Sequence, residues 1–170
     1  ITRSAGFGYG IPFTHTGVRA TYQVLNNFLT ITHGINNGWD NDIDNNRFKT
    51  FENAVSFSPI KDVTWTTASY IGPESPAVGV GATANRFVVT NVLGWQATKK
   101  LAFAGEFDFG NQRRADIDGD LAFQSAQWYG YAGYAKYQFT DKFAAAYRFE
   151  IFNDADRYRS WTGVGTAGAA

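Results

Sequence analysis

Two kinds of residue in this sequence have types and spacings that could do chemistry. The first is acidic: Asp40, Asp42 and Asp44, and again Asp116, Asp118 and Asp120, alternate in the way calcium loops place their early ligands. Neither run has the closing Glu of an EF-hand loop, so solvated acidic loop tips are the simpler reading, with the first run the better metal candidate. The second kind is a dispersed set: Arg19, Gln23, Glu52, Glu106, Asp108, Lys136, Arg148 and Glu150 each stand in a stretch whose alternate residues are apolar or aromatic. In a strand that spacing sends the charges to one face, where they form a charged wall and not a compact catalytic cluster.

Other chemistries find little support. The chain has no GxSxG elbow, Walker loop or HExxH pair, so no catalytic residue and no cofactor is assigned. It has no Cys, which removes thiol catalysis, disulfides and Cys-ligated metals, and its two histidines are too few for a His-ligated centre. Fifteen basic and fifteen acidic residues cancel, so no net field draws nucleic acid or an anionic membrane surface. Lys99-Lys100 and Arg113-Arg114 read as surface charges.

The elements that would position the charged wall are strands. In residues 129–151, Tyr129, Tyr131, Ala135, Tyr137, Phe139, Phe143, Ala145, Tyr147, Phe149 and Ile151 alternate with positions that include Lys136, Gln138, Arg148 and Glu150. Placing Phe139 opposite Phe143 leaves Thr140-Asp141-Lys142 as a three-residue turn and keeps both apolar faces on one side. That register sets Arg148 across from Tyr134 and Glu150 across from Ala132, with no ionic partner directly opposite either charge. The same alternation recurs along the chain and predicts strands at about 16–25, 28–36, 50–58, 62–71, 86–96, 100–110, 126–139 and 143–152, in one β-barrel domain or barrel segment over 1–170. Residues 1–14, rich in Gly, read as an irregular lead-in, and the nearly continuous apolar run of the fifth strand gives no face.

The connections carry a further signal. Short turns near Asn26-Asn27, Pro59, 97–100 and 140–142 alternate with long polar loops over 36–50, 72–85 and 110–125. A sheet that sorts its loops by length distinguishes two sides, as a transmembrane antiparallel up-and-down β-barrel does. Aromatics at 17% with 18 Gly fit aromatic-girdled strands, while no run approaches the ~20 apolar residues of a membrane helix. In such a barrel Phe103, Phe107, Tyr131 and Phe149 face lipid, and the long loops lie outside the cell. Residues 163–170 (GVGTAGAA) lack the aromatic-ended final strand of a bacterial barrel, so the sequence is expected to be a piece of a longer one, with about eight strands visible.

Particular motifs add to this: GIPFTHTGVRATYQV at 10–24, NNGWD at 36–40 with Lys49-Thr50, GPE at 72–74, and WYGYAGYAKYQFTDKFAAAYRFEIFNDADRYR at 128–159. Together they resemble the OmpL-like β-barrel porins of bacterial outer membranes. The resemblance implies a water-filled channel for passive diffusion of small hydrophilic solutes and ions. Its surroundings would be outer-membrane lipid and lipopolysaccharide, which Asp40, Asp42 and Asp44 could engage through bridging divalent cations. His33, among lipid-facing Leu29 and Ile31, belongs to the interfacial girdle or, on a sharper reading, to a homotrimer seam. The charged wall lines water if the strands are part of a barrel of about sixteen, and packs as a salt-bridge plug if eight close on themselves. Two rivals stand beside the channel: a small closed structural or adhesion barrel, and a soluble all-β module binding glycans through Trp39, Trp65, Trp95 or Trp128.

Overall fold

The computed structural model describes residues 3–25, 28–44, 48–74, 84–115 and 124–160. The turn residues Asn26 and Asn27, the run Asp116, Asp118 and Asp120, the central parts of the second and third long loops, and residues 163–170 lie outside the described residues.

Alternation produces eight strands: β1 Gly17–Leu25, β2 Leu29–Asn36, β3 Thr50–Phe57, β4 Val63–Glu74, β5 Ala84–Gln96, β6 Leu101–Ala115, β7 Gln124–Thr140 and β8 Phe143–Asn153. They form one sheet in chain order, each antiparallel to its sequence neighbours. The expected all-β, up-and-down meander is therefore the fold. Among the described residues β1 and β8 are the two edges and do not pair, so the sheet is open, as part of a barrel would be. No helix among the described residues is long and apolar enough to cross a membrane.

Residues paired directly across antiparallel strands share a face, so the ladders fix the two faces without ambiguity. On one face the register aligns Arg19, Gly34, Glu52, Tyr70 and Val88, and further along Glu106, Ala132 and Glu150. The fifth strand is now assigned: Val88, Thr90 and Val92 share the face of Glu106 and Asp108, while Phe87, Val89, Leu93 and Trp95 point the other way.

β4 continues through Gly72-Pro73-Glu74, and β6 runs on to Ala115 past a register shift after Gln112. These strands exceed the ~9–11 residues needed to cross a bilayer and extend the sheet on the side of the long loops.

The last hairpin differs from expectation in one detail. Gln138 pairs with Ala144 and Thr140 with Phe143, so Phe139 is an extra residue in a β-bulge and the turn narrows to Asp141-Lys142. Phe139 and Phe143 remain neighbours, with ring centroids 5.5 Å apart. The Thr140 hydroxyl drives the tightening by accepting from the N–H groups of Lys142 (3.3 Å) and Phe143 (3.1 Å). Gln138 Nε2 donates to the Thr140 carbonyl at 2.6 Å.

The β5–β6 connection repeats this chemistry: Thr98 Oγ1 accepts from Lys100 N (3.2 Å) and Leu101 N (3.0 Å), and Gln96 Nε2 donates to Thr98 O (2.6 Å). Both turns share one pattern, Gln-x-Thr-x-Lys followed by an apolar residue.

Candidate functional site

The face that carries Arg19 and Glu106 is the candidate site. Glu74, Arg86, Lys136, Arg148, Asp108 and Glu150 share it through the registers of β4 to β8, as does Glu52 in β3. Up to the bulge in β6, the opposite face holds no Asp, Glu, Lys or Arg. It carries many large apolar residues that stand exposed: Val18 is 80% accessible and Tyr147 69%, an extent of bare apolar surface foreign to soluble monomers.

Near the short turns this outer face carries a row of aromatics. Phe28 meets Phe57 at 5.3 Å and Phe57 meets Trp65 at 6.3 Å; Trp95 stacks on Phe103 at 5.7 Å and Tyr137 meets Phe139 at 4.8 Å. Amphipathic rings collect at such a level in membrane barrels. His33 is also on this face, exposed, with Nδ1 2.7 Å from Asn53 Oδ1.

All eight residues of the charged wall fall on the polar face, but most of their charges are engaged. Glu52 is buried and accepts from both Nε and Nη2 of Arg19, the second at 3.0 Å; Asn36 Nδ2 lies at 3.3 Å and His15 Nδ1 at 3.4 Å. Arg148 Nη2 reaches Glu150 Oε1 at 3.2 Å, so this pair forms along one strand instead of across the hairpin. Residues two apart share a face, which is why the cross-strand register alone does not reveal it. Glu106 accepts from Tyr134 OH at 2.7 Å and from the Ser4 hydroxyl at 3.3 Å. Asp108 is 1% exposed, and neither of its carboxylate oxygens has a hydrogen-bond partner. Lys136 is exposed, beside Lys99, Lys100 and Gln138.

The acidic loop run is put to structural use. Asp40 Oδ1 accepts from the N–H groups of Phe13 (2.5 Å) and Thr14 (2.7 Å), and Asp44 pairs with Lys49 at 2.5 Å. The Asp42 carbonyl accepts from Asn37 Nδ2 at 3.1 Å. Among the described residues no three His, Asp or Glu side chains gather as a metal site.

At the loop end of the polar face lies a packed group that alternation could not announce. Trp128 is fully buried, Trp39 meets it edge-on at 6.1 Å, and Tyr158 lies 6.0 Å from it. The guanidinium groups of Arg86 and Arg159 lie 4.7 and 4.6 Å from the Trp39 ring, a cation–π arrangement. Arg86 donates to Gln112 Oε1 (2.8 Å) and to Tyr158 OH (2.7 Å). Burial, with the like charge of Arg86 nearby, lowers Arg159 to about 10.

Glu74 Oε1 accepts from Trp39 N (2.8 Å) and Thr50 Oγ1 (3.0 Å), fixing the first long loop to the end of β4. Asp154 accepts from the N–H groups of Tyr158, Arg159 and Ser160 and so shapes the segment after β8. The NGWD, GPE and DADRYR stretches were the available signal for this group. Trp65 and Trp95 stay on the outer face, so the tryptophans do not converge on one glycan platform.

An open meander with an outer face free of Asp, Glu, Lys and Arg and a polar inner face is the architecture of a transmembrane β-barrel wall. The chain belongs to the family described as "Putative beta-barrel porin-2, OmpL-like", whose model matches residues 1–170. Comparison with curated proteins and with solved structures gives no match. That description suggests β-barrel porins, and its OmpL-like term implies an outer-membrane location for the family.

Proposed function

We propose that this chain supplies wall strands of a water-filled outer-membrane channel through which small hydrophilic solutes and ions diffuse passively, with no catalytic step. One observation carries the reading: every charged strand residue up to the β6 bulge points to one face of a continuous sheet whose other face carries none. A charge on the lipid side costs about 2–4 kcal/mol at the midplane, whereas a lumen hydrates it. Arg19, Gln23, Glu52, Glu106, Asp108, Lys136, Arg148 and Glu150 are thus the pore-lining set. Backbone groups at the free edges of β1 and β8 cannot stay unpaired in hydrocarbon, so further strands complete a barrel wider than eight.

Purified protein added to a planar bilayer is expected to give discrete conductance steps, with migration in unboiled gels that changes on heating. Heat-modifiable migration without conductance would favour a closed structural barrel. Solubility without detergent would end the membrane reading.

A further inference from the structure

We infer that residues 3–14, which precede β1, form the constriction of this channel, a strap laid on the polar face and held there by the carboxylates of β6 and β8. The inference rests on the channel reading above and adds the element that sets its width and ion preference.

The strap begins with Ser4, which is buried and accepts from Phe7 N at 3.0 Å while its hydroxyl donates to Glu106. Ala5 N donates to Glu150 Oε2 at 2.9 Å. A single π-turn, Gly6–Gly10, follows, and its last carbonyl accepts from Trp128 Nε1 at 3.0 Å. Arg159 Nε donates to Tyr9 O at 2.8 Å, and Asp40 holds the N–H groups of Phe13 and Thr14. Every one of these anchors is a side chain or a loop residue. A segment so held can be detached without tearing a ladder.

Glycines make the close approach possible. A Cβ on Gly6 would stand 2.2 Å from Asp108 Oδ2, and one on Gly130 in β7 would stand 3.6 Å from the Gly6 Cα. The strap backbone therefore lies directly over the Asp108–Gly130 pair, which explains how Asp108 is covered without a hydrogen-bond partner. The covering is partial. The ≈ 390 Å³ cavity beside Phe13 wraps the free edge of β1, with Val18 and Ile35 of the outer face in its lining as well as Arg19 and Glu52, and so belongs to the sheet edge. A strap that covers the polar face over β6 to β8 and leaves Thr21 and Gln23 of β1 exposed narrows a channel without sealing it. The three carboxylates beneath it are then either tied to the strap or hidden by it.

The chain has no Cys, so an introduced pair is read without background. A Cβ on Gly10 lies 3.6 Å from the Asp108 Cβ, within disulfide reach. Gly10→Cys/Asp108→Cys should cross-link on mild oxidation of the folded, detergent-solubilised protein, while Gly10→Cys/Gln138→Cys should not. Release is tested with Gly6→Leu, whose side chain needs the space of the Asp108 carboxylate. A second variant, Ala5→Pro, suits the backbone φ of −64° and removes the N–H given to Glu150.

In planar bilayers each release variant should raise conductance by about twofold or more and shift the reversal potential toward cations, as bared carboxylates would. The oxidised cross-link should conduct less than its reduced form. A pair that fails to cross-link in a heat-modifiable, folded protein overturns the placement. Cross-linking with unchanged conductance and ion preference in both release variants makes the strap a packing element and overturns the constriction. Absence of conductance in the parent and every variant would defeat the channel reading itself, and the constriction with it.

Discussion

At the loop end of the polar face Val88, Gln112 and Trp128 are fully buried, whereas at the turn end Thr21, Gln23, Lys136 and Ala146 stand exposed in the same two-residue alternation. The ladder is continuous from one end to the other, so secondary structure does not explain the contrast. Connection length does. Long segments at one end, 3–16, 36–44 and 154–160, are able to fold back over the sheet and bring Trp39, Tyr158 and Ser4 onto it. Turns such as Asp141-Lys142, pinched by a threonine hydroxyl, have no chain to spare. Alternation therefore decides which face a residue takes, and the neighbouring loop decides whether that position is packed or wet.

The largest effect should come from emptying the packed end. Trp128→Ala removes a fully buried indole that touches Trp39 and Tyr158 and donates to Gly10, and should cost about 3–5 kcal/mol. Lys136→Ala, at the wet end, should stay within roughly 0.5 kcal/mol, as most exposed substitutions away from packed features do. The midpoint of heat-induced mobility change in gels measures both. Equal losses would break the contrast between the two ends.

Next in size is a charge on the outer face. Phe107 pairs with Tyr131, their rings 4.9 Å apart, midway along an apolar surface. Phe107→Arg should cost about 2–4 kcal/mol and prevent assembly into membranes. Folding and detergent stability equal to the parent's would show that this face does not meet lipid.

Much of the architecture was legible because a strand's period is short and repeats. The parity of Phe103, Phe107, Tyr131 and Phe149 against Glu106, Asp108, Lys136 and Arg148 sorted the faces of β6, β7 and β8, and the ladders assign them the same way. The strong turn signal of Gly72 and Pro73 hid the end of β4, where the sheet simply continues beyond the membrane-crossing length. The fifth strand was opaque because Val88 and Val92, on the polar face, are as apolar as Val89 and Leu93 opposite them. Long-range packing left fainter traces. Nothing in the spacing of Ser4, Ala5 and Gly6 points to Glu106, Glu150 and Asp108, since those meetings are set by how the lead-in folds over the sheet. The pinched turn after Gln138 shares its Gln-x-Thr-x-Lys pattern with the turn after Gln96, and the two make the same hydrogen bond from Gln Nε2 to the Thr carbonyl.

The smallest effects are electrical, and they resolve the middle of the face from its wet end. Arg148 neutralises Glu150 from the same strand, and both are partly shielded, with side-chain exposures of 15% and 31%. Arg148→Glu removes the cation and leaves two carboxylates two residues apart, so the local charge changes by two and Glu150 loses its partner. Lys136→Glu makes the same formal change at an exposed site beside Lys99 and Lys100, whose charges offset it. With a Debye length of ~10 Å at 0.1 M salt and ~3 Å at 1 M, charges in open water are screened first. Under a salt gradient at low ionic strength, both variants should move the reversal potential toward cations, Arg148→Glu by more. At 1 M salt the Lys136→Glu shift should vanish while part of the Arg148→Glu shift persists, because the strap bonded to Glu150 shields it in part from water and counter-ions. Bilayer recordings of the two variants against the parent decide the point. Equal shifts at both salt concentrations would mean that the middle of the face is as wet as its turn end, and an unchanged potential in Arg148→Glu would remove Arg148 from the lumen.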